Sequence, residues 1–259
     1  MGEKKVSETV IVTGSSSGMG KYMAKKFADE GYNVVLTSRD KDKLERVQKE
    51  LQVTAKGDIL IVPMDVRSPE DVERMLKETV TQFGRVDTLI NNAAGNFICA
   101  AEDLSINGWN AVIDIVLNGT FYCSREVGKY WIDNNIQGSI INMVATYAWN
   151  AGAGVIHSSA AKAGVLNMTR TLAVEWGTKY GIRVNAIAPG PIERTGGAEK
   201  LFLSEEAAKR TLNSVPLKRL GTPEEIAELA FFLSSDKAAY INGEVVTMDG
   251  GQWLNKFPF

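Results

Sequence analysis

The 259-residue sequence has little of several features that mark particular classes of protein. Its two cysteines, Cys99 and Cys123, exclude a disulfide framework, and no Cys/His cluster suggests a metal site. Lys and Arg number 29 against 31 Asp and Glu, which leaves no overall field for nucleic acid or an anionic membrane. No apolar run approaches the roughly 18 residues that span a bilayer, and none resembles a signal peptide. We therefore expect no metal, nucleic-acid or membrane partner, and a cytoplasmic location.

Short β-branched runs alternate along the whole chain with stretches of 3.6-residue periodicity. Near-continuous apolar strands joined by helices are typical of a parallel sheet covered on both faces. The sequence predicts a single α/β domain over residues 1–259, with a small helical flap at about 193–215. One helix start is particularly clear, with Thr222 as N-cap, Pro223 at the first position and Glu225 at the third. The predicted strands are 9–13, 33–37, 59–63, 88–91, 139–143, 183–186 and 244–248.

A glycine-rich loop follows the first predicted strand. It reads Gly14, Ser15, Ser16, Ser17, Gly18, Met19 and Gly20. Glycines permit a tight turn and a close approach of the backbone to a pyrophosphate, and the following helix offers unpaired N–H groups. A glycine loop alone also fits an ordinary strand–helix turn. Its place after the first strand of an alternating chain favours a dinucleotide site.

The end of the second strand indicates which dinucleotide binds. Ser38 and Arg39 stand where a carboxylate would bind the ribose 2′-hydroxyl of NAD, and an arginine there can pair with the 2′-phosphate of NADP. Arg39 could instead be only the first polar residue of a loop. We predict NADP(H). Two further strand ends supply candidate contacts: Asp65 and Val66 for the adenine, and Asn91, Ala93 and Gly95 for the ribose.

These motifs, with Asn118, Lys162 and the run Pro189-Gly190-Pro191-Ile192, resemble the short-chain dehydrogenase/reductase family over nearly the whole chain. The resemblance implies a Rossmann-type doubly wound fold with a seven-stranded parallel sheet. It also implies a homotetramer packed through helices near 120–136 and 158–178. The further cofactor contacts that the resemblance implies are Lys162, Pro189, Gly190 and Ile192.

The catalytic end departs from the usual family pattern. Most members have a tyrosine four residues before the lysine, where this chain has Ser158, and a serine where it has Ala145. A serine hydroxyl is a poor acid compared with a phenol, whose pKa is roughly 10. Simple ketone reduction or alcohol oxidation therefore loses its expected acid–base group.

A second tyrosine lies close by in the sequence. Tyr147 lies four residues after the fifth predicted strand, at the carboxyl edge where such a sheet binds ligands. Tyr147, Ser158 and Asn118 together resemble the 2,4-dienoyl-CoA reductase branch. The enoyl-acyl carrier protein reductase branch fits less well, because its tyrosine stands nearer the lysine, where this chain has Gly154 and Val155.

The branch implies NADPH-dependent reduction of 2,4-dienoyl-CoA to 3-enoyl-CoA in the β-oxidation of unsaturated fatty acids. Hydride reaches the δ carbon while charge builds on the distant thioester oxygen, so donors are needed there as an oxyanion hole. By this resemblance Tyr147 and Asn118 are those donors, Lys162 holds the nicotinamide ribose, and Ser158 bonds the nicotinamide or the lysine. The implied substrate contacts are Arg67, Phe97, Ser105 and Lys200.

Two other functions stay open at the level of sequence. One is an NADP-dependent carbonyl reductase in which Tyr147 takes the place of the missing catalytic tyrosine. The other is a catalytically silent NADP-binding protein, which the two substituted catalytic positions suggest. Tyr147 could also be a surface aromatic, and Arg67 and Lys200 ordinary solvated charges.

Overall fold

Parallel strands form one sheet in the computed structural model, which describes residues 7–196 and 205–255. The strands are β1 Thr9–Thr13, β2 Asn33–Ser38, β3 Ile59–Pro63, β4 Thr88–Asn91, β5 Ser139–Met143, β6 Arg183–Pro189 and β7 Val245–Met248. Their order across the sheet is β3-β2-β1-β4-β5-β6-β7. The predicted doubly wound, seven-stranded parallel architecture is confirmed.

Helices connect successive strands and cover the sheet. They are α1 Gly18–Asp29, α2 Lys41–Leu51, α3 Pro69–Phe83, α4 Ile106–Ile113, α5 Gly119–Asn134, α6 Ile156–Tyr180, α7 Glu205–Ser214 and α8 Pro223–Ser234. A π-helical segment, Asp114–Asn118, joins α4 to α5. Short 3-10 helices occupy Thr146–Ala148, Asp236–Ala238 and Gln252–Leu254. No helix within the described ranges is long and apolar enough to cross a membrane.

The core lies on both faces of the sheet because the strands are apolar at successive positions. In β1, Val10 and Val12 face a cluster with α1, α2 and α8, whereas Ile11 faces a cluster with α3 and α5. All three valine and isoleucine side chains are fully buried. This two-sided burial is what the near-continuous apolar runs predict.

The strand order places a ligand cleft between β1 and β4. Chain order runs outward from β1 to β3 on one side of the sheet and from β4 to β7 on the other. The loops that follow β1 and β4 therefore diverge at the carboxyl edge, which is where open α/β sheets bind ligands. Within the predicted flap, α7 lies among the described residues, whereas residues 197–204, with Lys200, lie outside them.

Candidate active site

A cleft of approximately 870 Å³ opens at this carboxyl edge. It is lined by the loop after β1, the ends of β2 to β6, the start of α6 and the residues after β6. Most of the predicted cofactor contacts line it: Gly14, Ser16, Ser17, Gly18, Met19, Ser38, Arg39, Asp65, Val66, Ala93, Gly95, Lys162, Pro189, Gly190 and Ile192. One cavity thus brings together residues from six separate regions of the chain.

The glycine loop is shaped as a phosphate site requires. Gly14 has φ +65°, and a Cβ there would lie 2.8 Å from the Cα of Ala93. A Cβ on Gly20 would lie 2.5 Å from the carbonyl oxygen of Gly14. Ser17 at the start of α1 makes no side-chain cap hydrogen bond, whereas the N-cap side chains of α2, α3, α4 and α8 all accept one. The N–H groups of α1 therefore remain available to a phosphate, and the loop fits a dinucleotide.

Three other predicted cofactor residues do not line the cleft. Ser15 is buried, donates its backbone N–H to the Thr37 carbonyl at 3.0 Å and accepts from the Thr37 N–H at 2.9 Å. Asn91 donates to Ser124 Oγ and Asn142 Oδ1, both at 2.9 Å. Gly20 packs against the Gly14 carbonyl within the loop. These residues hold the loops in place from behind the cleft.

Asn92 is a cleft residue that the sequence prediction missed. Its side-chain amide donates to the carbonyls of Thr13 and Gly14, each at 3.0 Å. These two hydrogen bonds hold the loop after β4 against the loop after β1. Its place in the Asn91-Asn92-Ala93 run is the sequence signal that could have identified it.

The carboxylates near Arg39 pair with other cations, which leaves the Arg39 guanidinium available to an anionic ligand. Asp40 caps α2 and pairs with Lys43 at 3.1 Å. Asp65 pairs with Arg67 at 2.5 Å, and hydrogen bonding from Arg67 lowers the pKa of this carboxyl. Arg39 is exposed at the cleft and takes part in no ion pair among the residues that the structure describes. Both neighbouring carboxylates are thus neutralised by other cations.

The predicted substrate contacts have different surroundings. Phe97 lines the cleft, and its ring lies 4.5 Å, centroid to centroid, from the buried ring of His157. Arg67 is held by Asp65 and does not line the cleft. Ser105 is the N-cap of α4 and accepts from the Gly108 N–H at 3.0 Å. The structure thus brings Phe97 to the cleft and gives Arg67 and Ser105 partners outside it.

Tyr147 points into the cleft. It lies in the 3-10 helix Thr146–Ala148 directly after β5, and its hydroxyl is 3.1 Å from the hydroxyl of Ser158 near the start of α6. Both residues line the cleft, Tyr147 half-buried and Ser158 buried. The phenol therefore hydrogen-bonds the serine that stands four residues before Lys162.

Lys162 lies one turn after Ser158 on α6. Its side chain is buried, and its Nζ donates to the Met143 carbonyl at 2.5 Å. Burial lowers the pKa of this ammonium to about 8, because removal of water disfavours the charged form. A titratable cation thus lies in the same cleft as Tyr147.

Asn118 ends the π-helical segment and does not line the cleft. Its amide nitrogen donates to Asp114 Oδ1 at 2.8 Å. Ile115 of the same segment does line the cleft. Asp114 was missed at the level of sequence, although its spacing of four residues from Asn118 places the two side chains on one helical face.

Thr195 is a further cleft residue that was missed. Its hydroxyl donates to the Ile192 carbonyl at 2.7 Å, and its Cγ2 lies 3.7 Å from where a Cβ on Gly18 would be. The chain after β6 therefore lies against the glycine loop. No periodic pattern marks this contact, because it joins two loops that are distant in sequence.

Comparison with known proteins agrees with this geometry. The family model described as enoyl-(acyl carrier protein) reductase matches residues 14–252. A probable 2,4-dienoyl-CoA reductase [(2E)-enoyl-CoA-producing] of Bacillus subtilis (strain 168) is 66% identical over 99% of this chain and 100% of its own. A peroxisomal 2,4-dienoyl-CoA reductase [(3E)-enoyl-CoA-producing] of Danio rerio is 40% identical over 95% of this chain and 82% of its own.

A solved structure has the same fold. The crystal structure of a short chain dehydrogenase from Bacillus anthracis superposes with a TM-score of 0.90 at 64% identity, covering 97% of this chain and 98% of that one. The seven-stranded sheet, the glycine loop and the lysine of α6 therefore point to the same family as these relatives do. The chain belongs to the short-chain dehydrogenase/reductase family, and its predicted resemblance to the 2,4-dienoyl-CoA reductase branch is confirmed.

Proposed function

We propose that this chain reduces 2,4-dienoyl-CoA thioesters with NADPH and gives 3-enoyl-CoA, as a cytoplasmic step in the β-oxidation of unsaturated fatty acids. The observation that supports this most is the Tyr147 hydroxyl, which lies in the cleft at 3.1 Å from Ser158. The relatives named as 2,4-dienoyl-CoA reductases support the substrate class.

The reaction explains why the acid would leave the usual position. When bound, NADPH would supply a hydride to the δ carbon of the dienoyl thioester, and negative charge would then build on the thioester oxygen several bonds away. A donor beside the δ carbon is of no use to that oxygen, whereas Tyr147, approaching from β5, can serve it from another direction. Ser158 accepts or donates one hydrogen bond with Tyr147 and orients the phenol.

Asn118 is the second proposed donor to the thioester oxygen. Asp114 engages one hydrogen of its amide nitrogen, and this nitrogen carries two. The Asp114 bond fixes the rotation of the amide, so the second hydrogen has a set direction. Asn118 does not itself line the cleft, so we propose that its amide serves the thioester oxygen through a bridging water, together with Tyr147.

Protonation decides the product. A proton added to the α carbon of the dienolate gives a 3-enoyl thioester, and one added to the γ carbon gives a 2-enoyl thioester. The Bacillus subtilis relative is named for the 2E product and the Danio rerio relative for the 3E product. We propose the 3-enoyl product. Proton NMR of the isolated product distinguishes the two, because a 2-enoyl product has vinyl protons conjugated to the thioester.

Arg39 supports NADP(H) as the cofactor. The family implies a nicotinamide cofactor, and the cleft holds an arginine at the end of β2 that no described carboxylate pairs with. A 2′-phosphate suits such a cation. Lys162 would hold the nicotinamide ribose, Lys200 or Arg67 would meet the polar end of CoA, and Phe97 would line the acyl channel, with Ser105 as a further substrate contact.

We also propose a homotetramer packed through α5 and α6. Phe121 on α5 is 46% exposed and Val174 on α6 is 69% exposed, so both helices present a large apolar side chain to solvent. A surface depression of approximately 570 Å³ adjoins Val174. Sedimentation equilibrium should give a tetramer, and Val174→Glu should weaken it.

The assay that tests the proposed function follows 2,4-hexadienoyl-CoA at the dienoyl absorbance with NADPH and with NADH. The proposal expects loss of that absorbance with NADPH, slower loss with NADH, and no NADPH consumption with simple ketones. Ketone reduction without dienoyl-CoA reduction would instead identify a carbonyl reductase. Tight NADPH binding with no turnover of either substrate would identify a binding protein.

A further inference from the structure

The turn that carries Tyr147 is short and has few internal bonds. It is a three-residue 3-10 helix in which the Ala148 N–H donates to the Ala145 carbonyl at 2.9 Å. The Thr146 carbonyl accepts from the Trp149 N–H at 3.4 Å and from the Asn150 N–H at 3.1 Å. Such turns have poorer hydrogen-bond geometry than an α-helix. The position of the Tyr147 hydroxyl therefore depends on contacts made outside the turn.

Trp149 makes one such contact directly after the turn. Its ring lies 5.8 Å from the ring of Trp253, and the two planes meet at 87°. This is the edge-to-face arrangement that aromatic pairs favour. Trp149 is 37% exposed, so Trp253 supplies packing for a ring that is otherwise partly open to solvent.

Trp253 belongs to a turn that is firmly held. The carboxylate of the buried Asp249 accepts the Gly251 N–H at 2.9 Å and the Trp253 N–H at 2.7 Å. Gly250 and Gly251 both have positive φ, +63° and +86°, which few other residues adopt. This pair of glycines turns the chain sharply after β7 and sets Trp253 in one place.

The same turn is bonded to the end of α7. The Gln252 side chain donates to Ser214 Oγ at 2.8 Å, and the Asn255 side chain donates to the Ser214 carbonyl at 3.0 Å. One segment, Asp249 to Asn255, thus touches both the last residue of α7 and the ring next to the Tyr147 turn. Neither Trp149 nor Trp253 lines the cleft itself.

We propose that Trp253 is a positioning residue for dienoyl-CoA reduction, an inference that rests on the function proposed above for Tyr147. Through its edge-to-face contact with Trp149, Trp253 holds the turn at residues 146–148 so that the Tyr147 hydroxyl stays beside Ser158. Ser158 is on the long helix α6 and is fixed, so the turn is the part that needs support. Trp253 touches no reacting atom and acts only through Trp149.

A double-mutant cycle tests this. Trp253→Ala and Trp149→Ala should each lower kcat for 2,4-hexadienoyl-CoA by about three- to tenfold, the scale of one aromatic pair. The double variant should lose no more than the more impaired single variant, because both remove the same contact. Trp253→Phe should keep most of kcat. Near-UV circular dichroism should show the loss of the paired indole signal in Trp253→Ala.

Two readouts separate positioning from general damage. NADPH titration gives the number of active sites and the cofactor Kd. The Kd should stay within about twofold of wild type in all variants, because neither Trp149 nor Trp253 lines the cleft. Leu254→Ala is the matched control, because Leu254 lies on the same turn and is 68% exposed. It should leave kcat unchanged.

Additive losses in the cycle, or a Trp253→Ala kcat equal to that of Leu254→Ala, would overturn the inference while the proposed function stands. A wild-type protein that reduces no dienoyl-CoA overturns both. If Trp253→Ala does not fold, kcat is measured instead for Trp149→Leu, because Trp149 is partly exposed. An unchanged kcat in that variant then overturns the inference.

Discussion

At the residue scale, burial of Lys162 limits the pH range in which the site carries its cation. Desolvation lowers its pKa from 10.5 to about 8, so the ammonium dominates below about pH 8 and is lost as the pH rises through that value. Its hydrogen-bond partner, the Met143 carbonyl, is neutral and offsets the loss of water less than a carboxylate would. Activity that needs this ammonium should therefore fall on the alkaline side.

The pH profile of kcat/KM for dienoyl-CoA reduction measures this. We expect a decline above about pH 8 in the wild type. Lys162→Arg keeps its charge at every pH of interest, so whatever its absolute rate, its profile should show no such decline. A wild-type profile that stays flat well above pH 8, or an identical decline in Lys162→Arg, would assign the alkaline limb to another group.

Arg39 is the residue that we expect to select the cofactor. Arg39→Gln should raise the KM for NADPH by about tenfold or more and leave the KM for NADH little changed, since a charged hydrogen bond to phosphate is removed. Arg46→Gln is the matched control, because Arg46 is exposed on α2 and does not line the cleft. Equal effects of Arg39→Gln on both cofactors would contradict a 2′-phosphate contact.

At the scale of elements, the start of α8 has the capping box that its sequence predicts. Thr222 Oγ1 accepts from the Glu225 N–H at 3.2 Å, and the Glu225 carboxylate accepts from the Thr222 N–H at 2.8 Å. Arg219 also holds this carboxylate, and that hydrogen bond lowers the pKa of Glu225 to about 2. A depressed carboxyl pKa means that the contribution is present above pH 4.5 and is lost only as the pH falls toward about 2.

Urea unfolding checks the energy of this cap. Thr222→Ala should lower the free energy of unfolding by about 1 kcal/mol, and Thr222→Ser, which keeps the hydroxyl, by much less. Because Glu225 stays ionised, the loss in Thr222→Ala should be the same at neutral pH and at mildly acidic pH. A loss that vanishes on mild acidification would show that the box depends on another carboxylate.

Some elements of the structure can be predicted from the sequence, and others cannot. The strands follow from apolar runs that are buried on both sheet faces, and Tyr147 could be placed because it directly follows β5. The π-helical segment Asp114–Asn118 could not, because its hydrogen bonds depend on a local departure from 3.6-residue periodicity. The Asp65–Arg67 ion pair and the Trp149–Trp253 contact were also missed, because side-chain direction and distant loop contacts leave no periodic signal.

At the scale of the whole molecule, the parallel sheet brings the site together. The ends of β1, β4, β5 and β6 meet at one edge, so the glycine loop, Asn92, Tyr147 and Ile192 share one cleft although they are distant in sequence. Ser158, in the usual tyrosine position, shares a hydrogen bond with Tyr147, which approaches it from the chain that follows β5. We propose that the acid has moved to Tyr147.

The most direct test of that claim is the steady-state rate of NADPH-dependent 2,4-hexadienoyl-CoA reduction by Tyr147→Phe. Removal of one oxyanion donor should lower kcat by ~10²-fold or more, with the NADPH Kd unchanged. Ser158→Ala should lower kcat less, since it removes only the partner that orients the phenol. A Tyr147→Phe protein that is folded, binds NADPH and turns over at the wild-type rate would contradict the account.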